Sequence, residues 1–531
     1  FEAFETQKRV ADFGKARIGM ATGKNALYVR YWHEVSWSKV GIGFNRDDAS
    51  KSSKKWFPYA KGGGFRRWYG NVDVVVNWQD DGALLRNTMH PDGKRFWAHN
   101  FNLNEIFKPA ICWNVIASTE NSFRYHDAGF LFDSAAGLLQ TNDRSESFQL
   151  LGLLNSRVSS YFLPAINPTI NLPPGYLEQV PVVLAGDNEV VLELIDLSRN
   201  DWANAETSWS FRRSPLCERS TKTTLLADSW SQWQVYSDEL RNRALKLETE
   251  NNRRFISAYG LSHVLGHAST EDEITLARAD REKDCLRLIS YMIGCMMGRY
   301  SLVDPGLIQA DAGNSDLDPD RYGSKFPPDA DGIVVATGDP WFEGDAAGRV
   351  PEFLRAVWGA ENLAVNMSWL AESLGIRGGE SPDEAIRRYL ADKFYKDHLQ
   401  AYKKRPIYWL FSSGKQGAFQ ALVYLHRYNE GTLARMRAEY VVPLIAKMSS
   451  RLEMLDKDVA AAASAGARTK LQKQVESLRK NQIELVAYDE KLRHYADMRI
   501  TLDLDDGVKV NYAKFGDLVA DSKVITGGSD E

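Results

Sequence analysis

The hydrophobic pattern of the sequence changes near residue 230, and this change constrains the fold more than any other feature. Upstream, short apolar runs at 72–78 and 129–132 are bounded by Gly, Asn and Asp, which is typical of strands and turns. A helical run at 148–155 is followed by the proline-rich passage 163–181. Downstream, apolar residues recur at helical spacing in four longer segments: 230–258, 275–300, 350–375 and 382–404.

A leucine repeat marks the last part of the chain. Leucines recur every seven residues at positions 471, 478, 485 and 492, and an upstream apolar stripe contains Met448, Leu452, Leu455 and Val459. An Ala-, Ser- and Gly-rich stretch at 460–467 separates the two. This pattern predicts a helical hairpin of coiled-coil type. We favour packing of the leucines within the hairpin, with dimerisation as the alternative.

These patterns predict an α+β multidomain protein, since 531 residues exceed the length of one compact domain. We expect a β-rich domain over 1–215 and a mainly helical domain over 216–440, the latter with an acidic loop at 303–348. A helical hairpin at 441–500 and an acidic tail at 501–531 complete the predicted order.

Charge is distributed unevenly along the chain, although the net charge is only -4. Residues 1–70 contain 14 Lys and Arg against 6 Asp and Glu, whereas residues 301–350 contain 3 against 10. The sequence has no apolar run of about 18 residues, so we predict no membrane-spanning helix. Four scattered cysteines without CxxC pairing argue against a zinc ribbon and a disulfide framework, and favour a cytoplasmic location.

The basic opening stretch suggests a surface that binds double-stranded DNA. Lys and Arg neutralise phosphates, while amide and guanidinium groups read base edges. We single out Lys61, Arg66 and Arg67, because glycines in their turn let the backbone approach a phosphate closely. The full set of candidates in this domain is Lys24, Asn25, Arg30, Lys54, Lys55, Lys61, Arg66, Arg67, Trp68, Asn71, Arg124 and Tyr125. The alternative is a β-domain whose aromatic residues form the core and whose lysines are merely solvated.

A second DNA-binding candidate is the basic string Lys403-Lys404-Arg405 together with Lys415. The alternative, to which we give equal weight, is that these cations lie at the C-terminal end of a helix, where the helix dipole stabilises them.

Several strings that resemble catalytic motifs lack an essential residue. The stretch 412–415 ends like a phosphate-binding loop, but Gln416 stands where Ser or Thr must bind magnesium. His263 and His267 have the spacing of a zinc pair without the adjacent glutamate. Asn167-Pro-Thr-Ile170 lacks the aromatic residue that stacks on a flipped base, and no Gly-rich turn suits S-adenosylmethionine. We therefore predict no catalytic residue, cofactor or metal site in these 531 residues.

Longer strings resemble a known family. Residues 19–30 and 55–71 are similar to the target-recognition domain of bacterial N6-adenine DNA methyltransferases. Residues 287–300, 402–415 and 424–433 resemble the C-terminal half of PglX, the methyltransferase family of BREX bacteriophage-defence systems. The resemblance extends from about residue 15 to about residue 515.

This resemblance implies a role in choosing the DNA sequence that is methylated. It implies that the intact protein transfers a methyl group from S-adenosylmethionine to adenine N6 and thereby marks host DNA as self. It also implies other BREX components and phage DNA-mimic proteins as partners. The methyltransferase domain of the family, with its cofactor turn and Asn-Pro-Pro-Tyr loop, has no counterpart in these residues.

Two alternatives remain at this stage. The first is the recognition half of a single-chain restriction-modification enzyme, which has the same opening domain but lacks the downstream strings. The second is a protein-interaction scaffold, in which the acidic loop and the hairpin recruit other defence components. Binding of random duplex at low salt distinguishes a DNA-binding chain from such a scaffold.

Overall fold

A computed structural model describes residues 2–116, 120–218, 223–313 and 317–527 of the chain. Helices alternate with several small sheets, so the prediction of an α+β multidomain fold is confirmed. Among the described residues, no helix is both long enough and apolar enough to cross a membrane. The four cysteines are buried and form no disulfide.

Two four-stranded sheets dominate the first part of the chain. The first is antiparallel and has the spatial order Gly14–Ile18, Ala136–Thr141, Ala110–Asn114 and Phe123–His126. The second has the order Val29–Tyr31, Val74–Asn77, Trp56–Ala60 and Leu131–Phe132, with its last two strands parallel. The apolar runs at 72–78 and 129–132 thus contain strands of the second sheet. A short ladder pairs Lys8–Arg9 with Pro181–Val182.

The strand Val74–Asn77 of the second sheet is buried on both faces, which accounts for its run of apolar residues. Val75 and Val76 are each 0% exposed although their side chains point in opposite directions. On one side, Val76 packs with Phe57 and Trp78. On the other, Val75 packs with Trp56. The tryptophans of the opening stretch therefore form much of its core.

Helices flank these sheets in the first part of the chain, and one of them begins at a clear capping signal. Asp143 caps the helix Arg144–Leu154, because its carboxylate accepts a hydrogen bond from the backbone NH of Ser145. The other helices of at least eight residues in this part are Gln79–Asn87, Arg157–Ile166 and Glu189–Ala203.

The helix Leu226–Ala258 connects the two main hydrophobic clusters. Leu226 and Trp233, near its N-terminus, pack in the larger downstream cluster. Leu247 and Phe255, near its C-terminus, pack in the cluster that covers the first sheet. One rigid helix therefore contributes to both cores, and the predicted boundary at 215 lies just before it.

Further helices surround a three-stranded sheet in the downstream part. The strands Ile333–Val335, Gln420–Tyr424 and Tyr408–Ser412 are antiparallel neighbours in that order. The first of them lies in the predicted acidic loop, which also contains the short helix Pro319–Tyr322. The longer helices here are Arg281–Met296, Ala346–Trp358, Leu363–Ser373, Pro382–Asp392 and Phe394–Ala401.

Two long helices form the segment predicted as a hairpin. Val442–Ala461 and Ala465–Asp497 pack against each other, and Ser464 caps the second by accepting a hydrogen bond from Ala467. Leu485 and Leu492 are 0% exposed and belong to the large downstream cluster. Heptad leucines therefore pack inside this chain, which agrees with the interpretation we favoured.

The acidic tail is part of the core. Its described residues form the short helices Gly507–Ala513 and Ser522–Thr526. Val508, Tyr512 and Phe515 are each 0% exposed in the large downstream cluster. The last four residues of the predicted tail, 528–531, lie outside the described residues.

A buried arginine lies where the upstream and downstream parts meet. Arg299 is 0% exposed and its guanidinium lies 5.2 Å from the ring centroid of Trp32. It donates hydrogen bonds to the hydroxyls of Tyr300, at 2.9 Å, and Tyr424, at 3.2 Å. Nearby, Glu206 accepts a hydrogen bond from Tyr402 at 3.0 Å. Upstream and downstream residues thus share one buried polar cluster.

Three histidines belong to this cluster, and all are held neutral. Burial, and next the positive charge of Arg299, lower the pKa of His398 to about 3 and that of His426 to about 4. The same two causes lower the pKa of His33. An unfolded histidine has a pKa of about 6.5, so the unfolded chain binds more protons below that pH. Stability from these histidines is therefore lost as the pH falls below about 6.5.

We predict that His33→Phe makes unfolding less sensitive to acid. The ring stays, but one group that gains a proton on unfolding is removed. Between pH 6 and pH 5 the variant should lose less unfolding free energy than the wild type, by roughly 1 kcal/mol per pH unit. Urea titrations at each pH measure this difference. The exposed His263, changed to Phe, serves as the control and should leave the slope unchanged.

Candidate DNA-recognition surface

The arginines of the Gly-rich turn are engaged inside the protein. Arg66 forms an ion pair of 2.7 Å with Asp201 and lies over the ring of Trp202. Arg67 forms ion pairs with Glu248, at 2.9 Å, and with Glu120, at 3.1 Å. Carboxylates of the same chain neutralise both arginines in this conformation, which argues against our first choice of DNA contacts. Contact of Arg66 and Arg67 with DNA stays a prediction.

Three further candidates in this region are also core residues. Trp68 is 1% exposed and donates its indole NH to Glu248 at 2.8 Å. Arg124 is 1% exposed, and burial lowers its pKa to about 10. Tyr125 is 2% exposed. These side chains cannot reach a duplex in this conformation, so they are corrected from DNA contacts to structural residues.

Asn71 and Asn114 hold the Gly-rich turn in place. The Asn71 amide donates a hydrogen bond to the carbonyl of Gly64 at 2.9 Å, and the Asn114 amide donates to that of Gly63 at 2.6 Å. Arg124 in turn donates to the side chain of Asn114 at 2.8 Å. Asn71 therefore has a structural role in the turn, and its predicted contact with DNA stays a prediction.

The tail neutralises another group of candidates. Asp505 forms ion pairs of 2.8 Å with both Lys39 and Lys55, and it accepts the indole NH of Trp56 at 2.9 Å. Burial alone would raise the pKa of Asp505, but these hydrogen bonds lower it. Arg30 donates to the backbone carbonyl of Asp505 at 3.1 Å. The predicted cationic face is thus partly covered by the chain's own acidic segment.

The candidate lysines that do not contact Asp505 differ in whether they have a partner within the chain. Lys54 donates to the carbonyl of Ser38 at 2.6 Å, and Lys403 forms an ion pair of 2.6 Å with Asp73. Lys404 and Lys415 are exposed and have no ion pair among the described residues. For these two, contact with DNA stays a prediction.

A cleft of about 810 Å³ brings together four of the candidates, and we call it the tail cleft. Lys24, Asn25, Arg30 and Lys61 line one part of it. Arg405 of the second basic string also lines it. The other polar lining residues were not singled out in the sequence: Tyr31, Glu34, Asp506, Lys509 and Thr526. Its size is in the range of sites that hold small molecules or single nucleotides. Cations outnumber acids in the lining, which favours an anionic ligand.

Gly507 permits the close approach of the tail to this cleft. Its φ is +81°, and a Cβ at this position would lie 2.6 Å from Nε of Arg30. A side chain here would push Arg30 away from the carbonyl of Asp505. The cleft therefore depends on a backbone contact between residues separated by more than 470 positions in the chain.

A second feature beside the cleft was missed in the sequence. Residues 88–97 fold back on themselves, since the NH of Trp97 donates to the carbonyl of Thr88 at 3.0 Å. We call this segment the loop hairpin. Lys94 and Arg95 near its end are exposed, with 71% of the Arg95 side chain accessible and only a weak 3.5 Å contact to Asp92. The string Pro91-Asp-Gly93, a turn signal followed by two cations, was the available indication.

Lys24 connects the loop hairpin to the tail cleft. Its ammonium lies 5.6 Å from the ring centroid of Trp97, while the same residue lines the cleft. Gly23, at φ +74°, packs so tightly under Trp97 that a Cβ would lie 1.9 Å from the ring. The two features therefore form one continuous surface. No group of three or more potential metal ligands occurs among the described residues.

The chain is similar to two known proteins over nearly its whole length. It is 40% identical over 96% of its length to a protein of Escherichia coli O9:H4 (strain HS) named adenine-specific methyltransferase BrxX. It is similar to adenine-specific methyltransferases. A protein of Lacticaseibacillus casei (strain Zhang) named adenine-specific methyltransferase PglX is also 40% identical, over 98% of the chain. The chain spans 43% of the length of both relatives. No protein-family model matches it.

We predict that the buried pair Arg67 and Glu248 stabilises the fold as a unit. Arg67→Met leaves the Glu248 carboxylate buried without an ion pair, which costs about 3–5 kcal/mol. Glu248→Met should cost less, because Arg67 keeps its ion pair with Glu120. Replacing both should cost less than the two single changes added together. Chemical denaturation of the four proteins measures this coupling.

The exposed pair Arg243 and Glu193 provides a matched control. Their side chains are 52% and 39% accessible, so Arg243→Met should cost less than about 1 kcal/mol. Additive losses for Arg67 and Glu248 would contradict the interpretation as a coupled buried pair.

Proposed function

We propose that this chain is the part of a BREX N6-adenine DNA methyltransferase that recognises double-stranded DNA. Similarity to relatives named adenine-specific methyltransferases supports an adenine in duplex DNA as the target. The observation that carries the proposal for this chain is the joint surface of tail cleft and loop hairpin, where Lys24 lies in both.

The chemistry of this surface suits a duplex. The loop hairpin is a turn closed by backbone hydrogen bonds, and it carries Lys94 and Arg95 exposed to solvent. We expect these two cations to enter the major groove of B-DNA, where each base pair presents a distinct pattern of donors and acceptors. Arg95 is suited to a guanine and Asn25 to an adenine, because their side chains offer the matching paired hydrogen-bonding groups. Lys24 and Lys61 in the cleft would neutralise phosphates and fix the register.

We assign methyl transfer to residues outside these 531. S-adenosylmethionine would be bound by the intact protein, because this chain has neither the cofactor turn nor the loop that holds a flipped adenine. In this proposal, this chain selects the DNA site and another part of the intact protein transfers the methyl group. The product would be host DNA methylated at adenine N6 and thereby marked as self.

The same surface would bind both DNA and a phage protein that mimics it in the cytoplasm. A phage protein that mimics DNA would present carboxylates to Lys24, Lys61, Lys94 and Arg95. Other BREX components would bind elsewhere, since a protein on this surface would exclude DNA. A scaffold without DNA contact is the rival, and the internal pairing of Arg66 and Arg67 is the observation that favours it.

We predict that changing Lys94 and Arg95 together to Gln weakens duplex binding. Loss of two phosphate or base contacts should reduce the slope of log affinity against log salt by roughly one to two. Fluorescence anisotropy with a labelled duplex over a series of salt concentrations measures the slope. Lys393 and Lys396, exposed lysines on a distant part of the sequence, changed together to Gln provide the charge-matched control.

Two outcomes would contradict this prediction for the loop hairpin. An equal change in slope for both double variants would mean that only net charge matters and that the loop hairpin makes no contact. Absence of binding by the wild type at low salt would instead favour the scaffold.

A further inference from the structure

The turn between the two long helices extends beyond the packed part of the molecule. Leu455 is the last buried residue of the first helix, and Val475 is the first buried residue of the second. No residue between them is buried. We call residues 456–474 the hairpin tip. Ten residues of the second helix precede Val475, which corresponds to about 15 Å of helix at 1.5 Å per residue.

The hairpin tip carries cations that the rest of the chain does not neutralise. Between Asp458 and Glu476 the only charged residues are Arg468, Lys470 and Lys473. All three are exposed, and none has an ion pair among the residues that the structure describes. This contrasts with Arg66, Arg67 and Lys55, whose partners are internal carboxylates.

The cations continue as a stripe along the second helix. Lys470, Lys473 and Lys480 are separated by three and seven residues, so they lie on one face of the helix. Glu476 lies within this stripe and Glu484 follows Lys480 by four residues, but neither forms an ion pair within 4.0 Å with these lysines among the described residues. The exposed face of the second helix therefore presents three lysines that have no acidic partner in the described part of the chain.

The composition of the tip favours a nucleic-acid backbone over a protein partner. Protein interfaces gain most of their affinity from aromatic or large apolar anchors. The hairpin tip contains no aromatic residue, and its two large apolar residues, Val459 and Leu471, are partly buried in the hairpin itself. Small residues at 460–467 leave the cations unobstructed. A surface that has cations but no aromatic or large apolar anchor is suited to the phosphates of DNA, because phosphates are bound by charge and without regard to sequence.

The second helix also connects the tip to the tail cleft. The helix has 33 residues, which is about 50 Å, and its C-terminal end leads into the tail residues that line the cleft. The second helix alone therefore spans about 50 Å between the hairpin tip and the start of the tail. B-DNA rises 3.4 Å per base pair, so a duplex must extend about 15 base pairs beyond the cleft to cover that distance.

We propose that the hairpin tip is a second DNA contact, which holds the phosphates of the duplex that flanks the recognised sequence. This inference rests on the proposed function, because it assumes that the duplex is held at the tail cleft. Its consequence is that affinity depends on duplex length as well as on sequence.

The test compares two duplexes with the same central sequence, of about 12 and about 40 base pairs. Wild-type protein and the variant Arg468→Gln, Lys470→Gln, Lys473→Gln are titrated against both over a series of salt concentrations. On the long duplex the variant should lose roughly two to three units of salt slope, about 0.9 for each phosphate contact. On the short duplex it should match the wild type. The variant Arg377→Gln, Lys393→Gln, Lys396→Gln removes the same charge from exposed positions elsewhere.

Any outcome other than a loss of salt slope on the long duplex alone contradicts the proposed DNA contact at the hairpin tip. An equal loss on both duplexes, or a loss no larger than in the control variant, rules out a contact at the flank while the proposed function stands. Unchanged DNA binding with lost retention on immobilised polyglutamate assigns the tip to acidic proteins. Failure of the wild type to bind either duplex rejects the proposed function together with the inference. Circular dichroism of the variant confirms that the helices remain, since all three residues are exposed.

Discussion

Burial of Arg299 is the constraint on which the arrangement of this protein most depends. A guanidinium stays charged, so removing it from water requires that surrounding groups replace its hydration. Trp32 comes from the opening part of the chain, whereas Tyr300 and Tyr424 come from the downstream part. These contacts to Arg299 form only when both parts are in place. This explains how a chain with several hydrophobic clusters maintains one relation between its opening sheets and its helices.

The contact of Asp505 with Lys39, Lys55 and Trp56 has a similar effect on the candidate site. It joins the end of the chain to the second sheet and thereby forms a wall of the tail cleft. The same contact removes cations from the surface, so the molecule presents less positive charge than its opening stretch suggests. Accessible cations remain at the cleft, at the loop hairpin and at the hairpin tip, and also at scattered positions such as Lys393 and Lys396.

Local sequence patterns correctly indicated several strands and helices, but only some of the candidate cations lie in the cleft. Valines at 74–76 indicated a buried strand, and the leucines at 485 and 492 indicated a helix packed within the chain, because both depend on the period of apolar residues. Lys24, Asn25, Arg30 and Lys61 were singled out by composition and do meet in one cleft. Arg66, Arg67 and Arg124 were singled out in the same way and are internal. Composition cannot separate these cases, because an arginine beside tryptophan has the same local sequence in a core as on a DNA-binding face.

The sequence by itself determined the class of fold, the positions of several longer helices and of two strands of the second sheet, and the likeness to adenine-specific methyltransferases, since all three are carried by residues close together in the chain. Only the tertiary structure decided which cations are available. Asp201, Glu248 and Asp505 lie 135, 181 and 450 positions from Arg66, Arg67 and Lys55 respectively. A charge is neutralised by whatever folding places within a few ångströms of it, and separation along the chain carries no information about that distance.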